Sequence, residues 1–150
     1  MARWRSRDLL LGLLVLSTAA TAAVAVSVLG IPVAPCASVS REVVTFTITA
    51  DLNGYNGSKI RGGQGPFLSV HTCDTVVMRL ANRDVQAHGL AVDFYAANGL
   101  EALHGDVVKM QFLAYKTGDF RIFCNTLCSV HSYMQNAKLT VQCSMGQGCV

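Results

Sequence analysis

Between Val43 and Gln142 the chain is a series of short runs of β-branched and aromatic residues. The run 43–49 alternates apolar and polar side chains, which is the period of a strand with one buried face. Six similar runs follow, at 67–71, 75–80, 89–94, 107–115, 119–123 and 137–142. Turn residues such as Asn98-Gly99 separate them. Because no long amphipathic helical pattern interrupts the series, the sequence predicts an all-β domain, an antiparallel sandwich or barrel.

The first part of the chain is too apolar to belong to this domain. No charged residue occurs from Leu9 to Ser40, and the stretch 9–29 supplies roughly the 20 apolar residues with which a helix crosses a bilayer. We therefore expect one N-terminal transmembrane helix. The small residues between Ser17 and Ala25 leave a cleaved signal peptide as the alternative.

Basic residues set the expected orientation of this segment. Arg3, Arg5 and Arg7 precede it, and positive charge is typically kept on the cytoplasmic side of a membrane. We expect residues 1–35 to form the membrane anchor and linker. Residues 36–150 are then the folded domain, on the periplasmic or extracellular side of the cell membrane.

Charge and motif content exclude several functions. After residue 36 there are nine Lys or Arg residues against eight Asp or Glu residues, so no basic surface for nucleic acid is indicated. The chain has no Gly-x-Ser-x-Gly element, no phosphate loop and no paired carboxylates placed for acid–base chemistry. Any catalysis is expected to belong to a partner.

The six cysteines fall into two groups. Four are scattered through the exported part and predict disulfides, with the pairing left open by their spacing: Cys36, Cys73, Cys143 and Cys149. The other two, Cys124 and Cys128, lie close together, with His131 and Met134 immediately behind them. This second group predicts a metal-binding loop.

The chemistry of that loop favours copper. Two thiolates, an imidazole and a thioether form a soft ligand set, which suits copper far better than magnesium or calcium. Zinc also binds Cys and His but rarely Met, and Met134 lies where an axial ligand would be. A disulfide or two buried thiols at Cys124 and Cys128, with an incidental His and Met, is the alternative without a metal.

The same segment resembles a known family. The pattern Gly-x-Phe-x-x-x-Cys that begins at Gly118, followed by a second Cys, a His and a Met, is similar to the CuA loop of cytochrome c oxidase subunit II and nitrous oxide reductase. Upstream, Asp84-Val85 and His88 resemble the Asp-Val pair and first copper histidine of that family. The resemblance covers approximately residues 43–142 and implies a cupredoxin-like Greek-key β-sandwich.

The resemblance also implies a dinuclear copper site. Its six ligands would be, in chain order, His88, Cys124, Thr126, Cys128, His131 and Met134. The two cysteines would bridge the metals, the two histidines would be terminal ligands, the methionine a weak axial ligand, and the threonine would contribute its backbone carbonyl. In this topology the expected disulfides are Cys73–Cys143 and Cys36–Cys149.

Two departures from the family pattern leave a single copper open. Two residues separate Cys128 from His131 where the family has three, and His88 lies one residue farther from the Asp-Val pair. The extra residue before His88 is expected to compensate for the shorter loop. Taken alone, the Cys-x-x-His-x-x-Met spacing that ends at Met134 is that of a mononuclear blue-copper protein such as amicyanin.

The function implied by the resemblance is electron transfer. The chain is similar to subunit II of a terminal haem-copper oxidase of the B type, a non-catalytic electron-entry subunit with a single membrane helix. Its partners would be an external donor, cytochrome c or a small copper protein, and the catalytic subunit in the membrane. The alternative is a free-standing, membrane-anchored cupredoxin that shuttles electrons or carries copper.

A protein truncated to begin at Ser38 is expected to be soluble and rich in β-structure, because the apolar anchor is separate from the domain core. Circular dichroism of the purified truncated protein tests this expectation. A spectrum dominated by helix would contradict it.

Overall fold

The computed structural model describes Cys36 and residues 42–144. The predicted anchor within residues 1–35 and Cys149 lie outside this range, so the anchor and any pairing of Cys149 stay predictions. Among the described residues no helix is long and apolar enough to cross a membrane.

The described residues form nine strands and one 3₁₀ turn. In chain order these are β1 (Val43–Asp51), β2 (Gly54–Tyr55), β3 (Gln64–His71), β4 (Thr75–Asn82), β5 (His88–Val92), β6 (Ala96–Ala102), β7 (Val107–Leu113), β8 (Gly118–Phe123), the 3₁₀ turn (His131–Met134) and β9 (Asn136–Gln142). All seven predicted runs coincide with strands, so the all-β prediction is confirmed. The sequence reasoning missed β2 and β6.

The strands are arranged in two sheets. One has the order β2-β1-β4-β7 and the other the order β3-β9-β8-β5-β6. Strands β1 and β4 pair in parallel, as do β3 and β9, whereas the remaining pairs are antiparallel. The expectation of purely antiparallel sheets is therefore wrong. The reason is that the chain leaves the first sheet to form β3 in the second, and returns as β4 in the direction of β1.

Alternating burial builds the core between these sheets. On β4 the inward side chains Val76, Met78 and Leu80 are fully buried, while their neighbours are partly or fully exposed. Strand β9 contributes Leu139, also fully buried, from the other sheet. Each such side chain contributes about 1.5–3 kcal/mol through the hydrophobic effect. By contrast, β5 is buried at every position, which places its first residue in the interior.

The Asn98-Gly99 pair, predicted as a turn between strands, lies inside β6. Leu90 pairs with Leu100 and Val92 with Ala96, so β6 has extra residues opposite β5 and forms a bulge. Gly99 has a φ of +63°, and a Cβ there would lie 2.6 Å from the Leu90 carbonyl oxygen. The same Asn-Gly chemistry that favours a turn therefore also permits this bulge.

The cysteines divide as the sequence predicts. Cys36, Cys73 and Cys143 are disulfide-bonded, whereas Cys124 and Cys128 are free thiols. Strands β3 and β9 end side by side; Cys143 follows β9 directly and Cys73 lies two residues after the end of β3. Their mutual pairing stays a prediction. The free thiols exclude a disulfide within the loop.

Replacing Leu139 with alanine is expected to lower the free energy of unfolding by about 2–5 kcal/mol, because it opens a cavity between the sheets. The control is Thr47→Ala on β1, where the side chain is exposed and the change should stay within about 1 kcal/mol. Chemical denaturation of both variants measures the difference. Equal losses would contradict the placement of Leu139 in the core.

Candidate metal centre

The predicted ligands come together at one end of the second sheet. His88 begins β5, Cys124 follows β8 directly, and Met134 ends the 3₁₀ turn before β9. Strands β5 and β8 are antiparallel neighbours, with Ala91 opposite Phe123. The start of one and the end of the other therefore lie at the same edge of the sheet.

Three of the predicted ligands form a close group. The ligand atoms of His88, Cys124 and Cys128 all lie within 4.8 Å of one another. His88 and Cys124 are buried and Cys128 is half-buried. One nitrogen and two sulfur atoms at this separation are donors that suit a soft transition metal.

His88 is oriented by a buried carboxylate. Its Nε2 donates to Asp84 Oδ2 over 2.9 Å, and both side chains are almost completely removed from solvent. Its Nδ1 is buried and has no hydrogen-bond partner. Among the described residues it is the only buried side-chain nitrogen or oxygen atom without one. In metal sites the second imidazole nitrogen is commonly held by a carboxylate. Asp84 therefore fixes the tautomer in which Nδ1 can bind a metal. The residues present at this site fit a bound metal ion.

Asp84 is itself held by its neighbours. Burial tends to raise the pKa of Asp84, but hydrogen bonds from His88 and from the amides of Gln86 and Val85 outweigh it, so the pKa lies below its usual value. The amide of Asp84 donates to Asn82 Oδ1 over 2.8 Å. An ionised carboxylate is thus maintained beside His88.

Cys124 is fixed between β5 and its own loop. The Gly89 amide donates to its Sγ over 3.2 Å, and the thiol donates to the Thr126 carbonyl over 3.1 Å. A Cβ on Gly89 would lie 2.1 Å from Asn125 Oδ1 and 2.8 Å from the Thr126 nitrogen. Only glycine allows β5 to approach the loop this closely.

Cys128 lies beside the predicted methionine ligand. Its Sγ is 4.0 Å from Met134 Sδ, and Met134 is fully buried. The amide of Cys124 donates to the Met134 carbonyl over 2.9 Å, which ties the end of the 3₁₀ turn to the end of β8. Burial, with the nearby Cys124 thiol, raises the pKa of Cys128 to about 11. Metal binding to this thiol must therefore release a proton.

His131 lies next to the close group and is not a member of it. Its Nδ1 donates to the Thr126 carbonyl over 3.0 Å, and its Nε2 accepts from Gln135 Nε2 over 3.1 Å. The same Gln135 amide also donates to the Cys124 carbonyl. Because both ring nitrogens are hydrogen-bonded, one bond must be given up before His131 can bind a metal.

The segment before His88 and the segment between Cys128 and His131, whose lengths differ from the CuA-loop pattern, are hydrogen-bonded to each other. Gln86, which precedes His88, donates from Nε2 to Ser129 Oγ over 2.9 Å and accepts from the Ser129 amide over 2.9 Å. Ser129 belongs to the shortened segment between Cys128 and His131. The longer segment and the shorter one are thus joined by a pair of hydrogen bonds.

Several supporting residues were missed by the sequence reasoning. The Tyr55 hydroxyl donates to the Gly89 carbonyl, and Glu101 on β6 accepts from Thr126 Oγ1 over 3.0 Å. Asn125 Nδ2 donates to the Asn98 carbonyl over 2.9 Å. None of these residues lies at a recognisable spacing from the predicted ligands. Three of them, Tyr55, Asn98 and Glu101, lie on β2 and β6, the two strands that the sequence did not predict.

No protein-family model and no curated protein matches the chain. Solved structures do match. A copper nitrite reductase from Nitrosomonas europaea is 19% identical with a TM-score of 0.57, covering 71% of this chain and 44% of that chain. A blue copper oxidase from the same organism is 18% identical with a TM-score of 0.54, covering 71% and 41%. The periplasmic domain of cytochrome oxidase subunit II of Bradyrhizobium japonicum is 21% identical with a TM-score of 0.49, covering 65% and 83%.

The TM-scores of 0.57 and 0.54 to the nitrite reductase and the blue copper oxidase show a shared fold. The chain has the cupredoxin-like β-sandwich found in copper proteins, and it spans less than half the length of the nitrite reductase and of the blue copper oxidase. The protein is thus a β-sandwich with a candidate metal centre at one end, formed by the close group of one imidazole and two thiols.

Replacing Asp84 with asparagine is expected to weaken metal binding about 10–100-fold, because the amide keeps the shape but removes the carboxylate charge that orients the His88 ring. Competition between the protein and a Cu(I) chelator measures the affinity. The control is Asp119→Asn, an exposed carboxylate on β8 that pairs with Lys138. Affinities equal to the wild type in both variants would contradict the role of Asp84.

Proposed function

We propose that this chain is a copper electron-transfer protein with a CuA-type dinuclear site. The observation that carries the proposal is the convergence of His88 with the free thiols Cys124 and Cys128 within 4.8 Å, at one end of a cupredoxin-like fold. Thiolate, thioether and imidazole donors together favour copper over zinc or the hard cations. When bound, copper would supply the one-electron redox chemistry of electron transfer.

Six residues would hold the metal: His88, Cys124, Thr126, Cys128, His131 and Met134. The contact between the sulfurs of Cys128 and Met134 supports Met134 as a donor beside the thiols. The Thr126 carbonyl, which accepts from both Cys124 and His131, supports the placement of His131 beside the same loop. His131 would exchange its hydrogen bond to Thr126 for a bond to the metal.

The protein's own contribution is to fix these donors and to exclude water. Asp84 holds the His88 ring, Gly89 holds the Cys124 sulfur, and Gln135 holds the loop carbonyl beside it. His88, Cys124 and Met134 are buried, so solvent has little access to the inner side of the site. A frame held from several elements keeps the ligand positions similar in both oxidation states, which favours rapid electron transfer.

Within this class we place the chain as subunit II of a terminal haem-copper oxidase. It would accept electrons from cytochrome c or a small copper protein and pass them to the catalytic subunit, without catalysing a reaction itself. The CuA-like loop and the apolar N-terminal segment support this role. The disulfide-bonded Cys73 and Cys143 support a domain on the periplasmic or extracellular side of the cell membrane.

One observation favours a second candidate, a free-standing anchored cupredoxin with one copper. His131 lies outside the close group and is hydrogen-bonded through both ring nitrogens. His88, the two thiols and the adjacent Met134 would suffice as ligands of a single metal. Such a protein would shuttle electrons or carry copper.

The wild-type protein is expected to bind two copper ions per chain and to show an electron paramagnetic resonance spectrum of one electron shared by two copper nuclei. Cys124→Ser and Cys128→Ser should each abolish that signal, because both sulfurs would be needed to hold the two coppers. The control is His71→Gln, an exposed histidine on β3. One copper per chain, with hyperfine structure from a single nucleus, would establish the mononuclear candidate instead.

The oxidase role is tested separately from the metal centre. The full-length chain, purified in mild detergent from its own membranes, should retain a haem-containing catalytic subunit. Copper binding without any associated haem protein would support the free-standing cupredoxin.

A further inference from the structure

We infer that Tyr55 is a positioning residue for the Cys124 sulfur. It reaches the metal centre from the opposite sheet and, through hydrogen bonds, tunes the reduction potential of the bound copper. The inference rests on the copper function proposed above. It adds to the centre a residue that is neither a metal ligand nor part of the ligand loop.

Tyr55 is placed by a very short strand. It lies on β2, which pairs with the end of β1 through Ala50, in the first sheet. His88 belongs to the second sheet, and Cys124 directly follows a strand of that sheet. Its side chain is fully buried. A phenol that is deeply buried needs a partner for its hydroxyl, and the partner here is the backbone of the metal centre.

Two hydrogen bonds at one residue, Gly89, link this phenol to the sulfur. The Tyr55 hydroxyl donates to the Gly89 carbonyl, and the Gly89 amide donates to Cys124 Sγ over 3.2 Å. Gly89 follows His88 directly, so the same contact also restrains the backbone of that ligand. Tyr55 thereby fixes the residue that connects the imidazole to the thiolate.

The loop that carries Tyr55 is tied to the ligand loop at a second point. Ser58 is fully buried and its hydroxyl donates to the Tyr133 carbonyl over 2.5 Å, next to Met134. Gly54, with a φ of +80°, leaves room for this serine, since a Cβ there would lie 2.2 Å from its Oγ. Tyr55 is thus held from the 3₁₀ turn as well as from β1.

The expected effect on copper follows from charge. Hydrogen bonds around a cysteine sulfur are one of the means by which proteins tune a copper potential. They stabilise negative charge on the sulfur, which is larger in the reduced state, so they raise the potential. The Tyr55 hydroxyl should therefore favour the reduced form.

The test is Tyr55→Phe in the copper-loaded full-length protein. We expect unchanged copper content, a lower reduction potential and a shifted sulfur-to-copper charge-transfer band. The control is Tyr95→Phe, which removes a hydroxyl that is hydrogen-bonded to the backbone of Lys116. His88 is the first residue of β5, whereas Tyr95 follows the last residue of that strand. That control should leave both readouts unchanged. A potential in Tyr55→Phe equal to the wild type would overturn the inference.

Two further measurements keep the test decisive if Tyr55→Phe folds poorly. Site-specific 3-fluorotyrosine at position 55 keeps the ring and strengthens the O–H donor, so it should shift the potential upward. An unchanged potential would again count against the role of Tyr55. A wild-type chain that binds no copper would defeat the proposed function itself, whereas copper-loaded variants with the wild-type potential would defeat only this inference.

Discussion

The contact between Gly89 and the loop that begins at Cys124 is the constraint on which the metal centre depends. Strand β5 lies so close to this loop that no side chain fits at position 89, and the Gly89 amide is bonded to the Cys124 sulfur. His88 is the neighbouring residue, so this approach also brings the imidazole to the thiols. The rest of the site consists of residues that hold this contact in place, including Tyr55 on the Gly89 carbonyl.

How much of the fold the sequence predicts depends on where each strand lies. Strands such as β4 and β9 have one face in the core, so their burial alternates and their β-branched runs are visible locally. Strand β2 has only two residues, and β6 contains the Asn98-Gly99 bulge, so neither has such a run. The parallel pairing of β1 with β4 follows from the crossing to the other sheet, which no local pattern encodes.

The same distinction applies to the site. Cys124, Cys128, His131 and Met134 could be found because four metal-binding side chains lie within one short segment. The contacts that support these residues could not be found in this way. The hydroxyl of Tyr55 and the backbone that it contacts are 34 residues apart. Tyrosine, glutamine and asparagine also carry no signature of a metal centre, because their role here is to hold backbone groups and not to bind the ion.

The two histidines of the candidate centre differ in their hydrogen bonding. Gln86 and Ser129 join the lengthened and shortened segments through two hydrogen bonds, so a change in either segment alone would break the pairing. On the inner side, His88 has a buried ring nitrogen without a hydrogen-bond partner, and the residue lies close to both thiols. On the outer side, His131 is bonded to Thr126 through the nitrogen nearest the loop. In the proposed two-copper site, His88 would therefore bind a metal without losing a hydrogen bond from that nitrogen, whereas His131 would have to give one up.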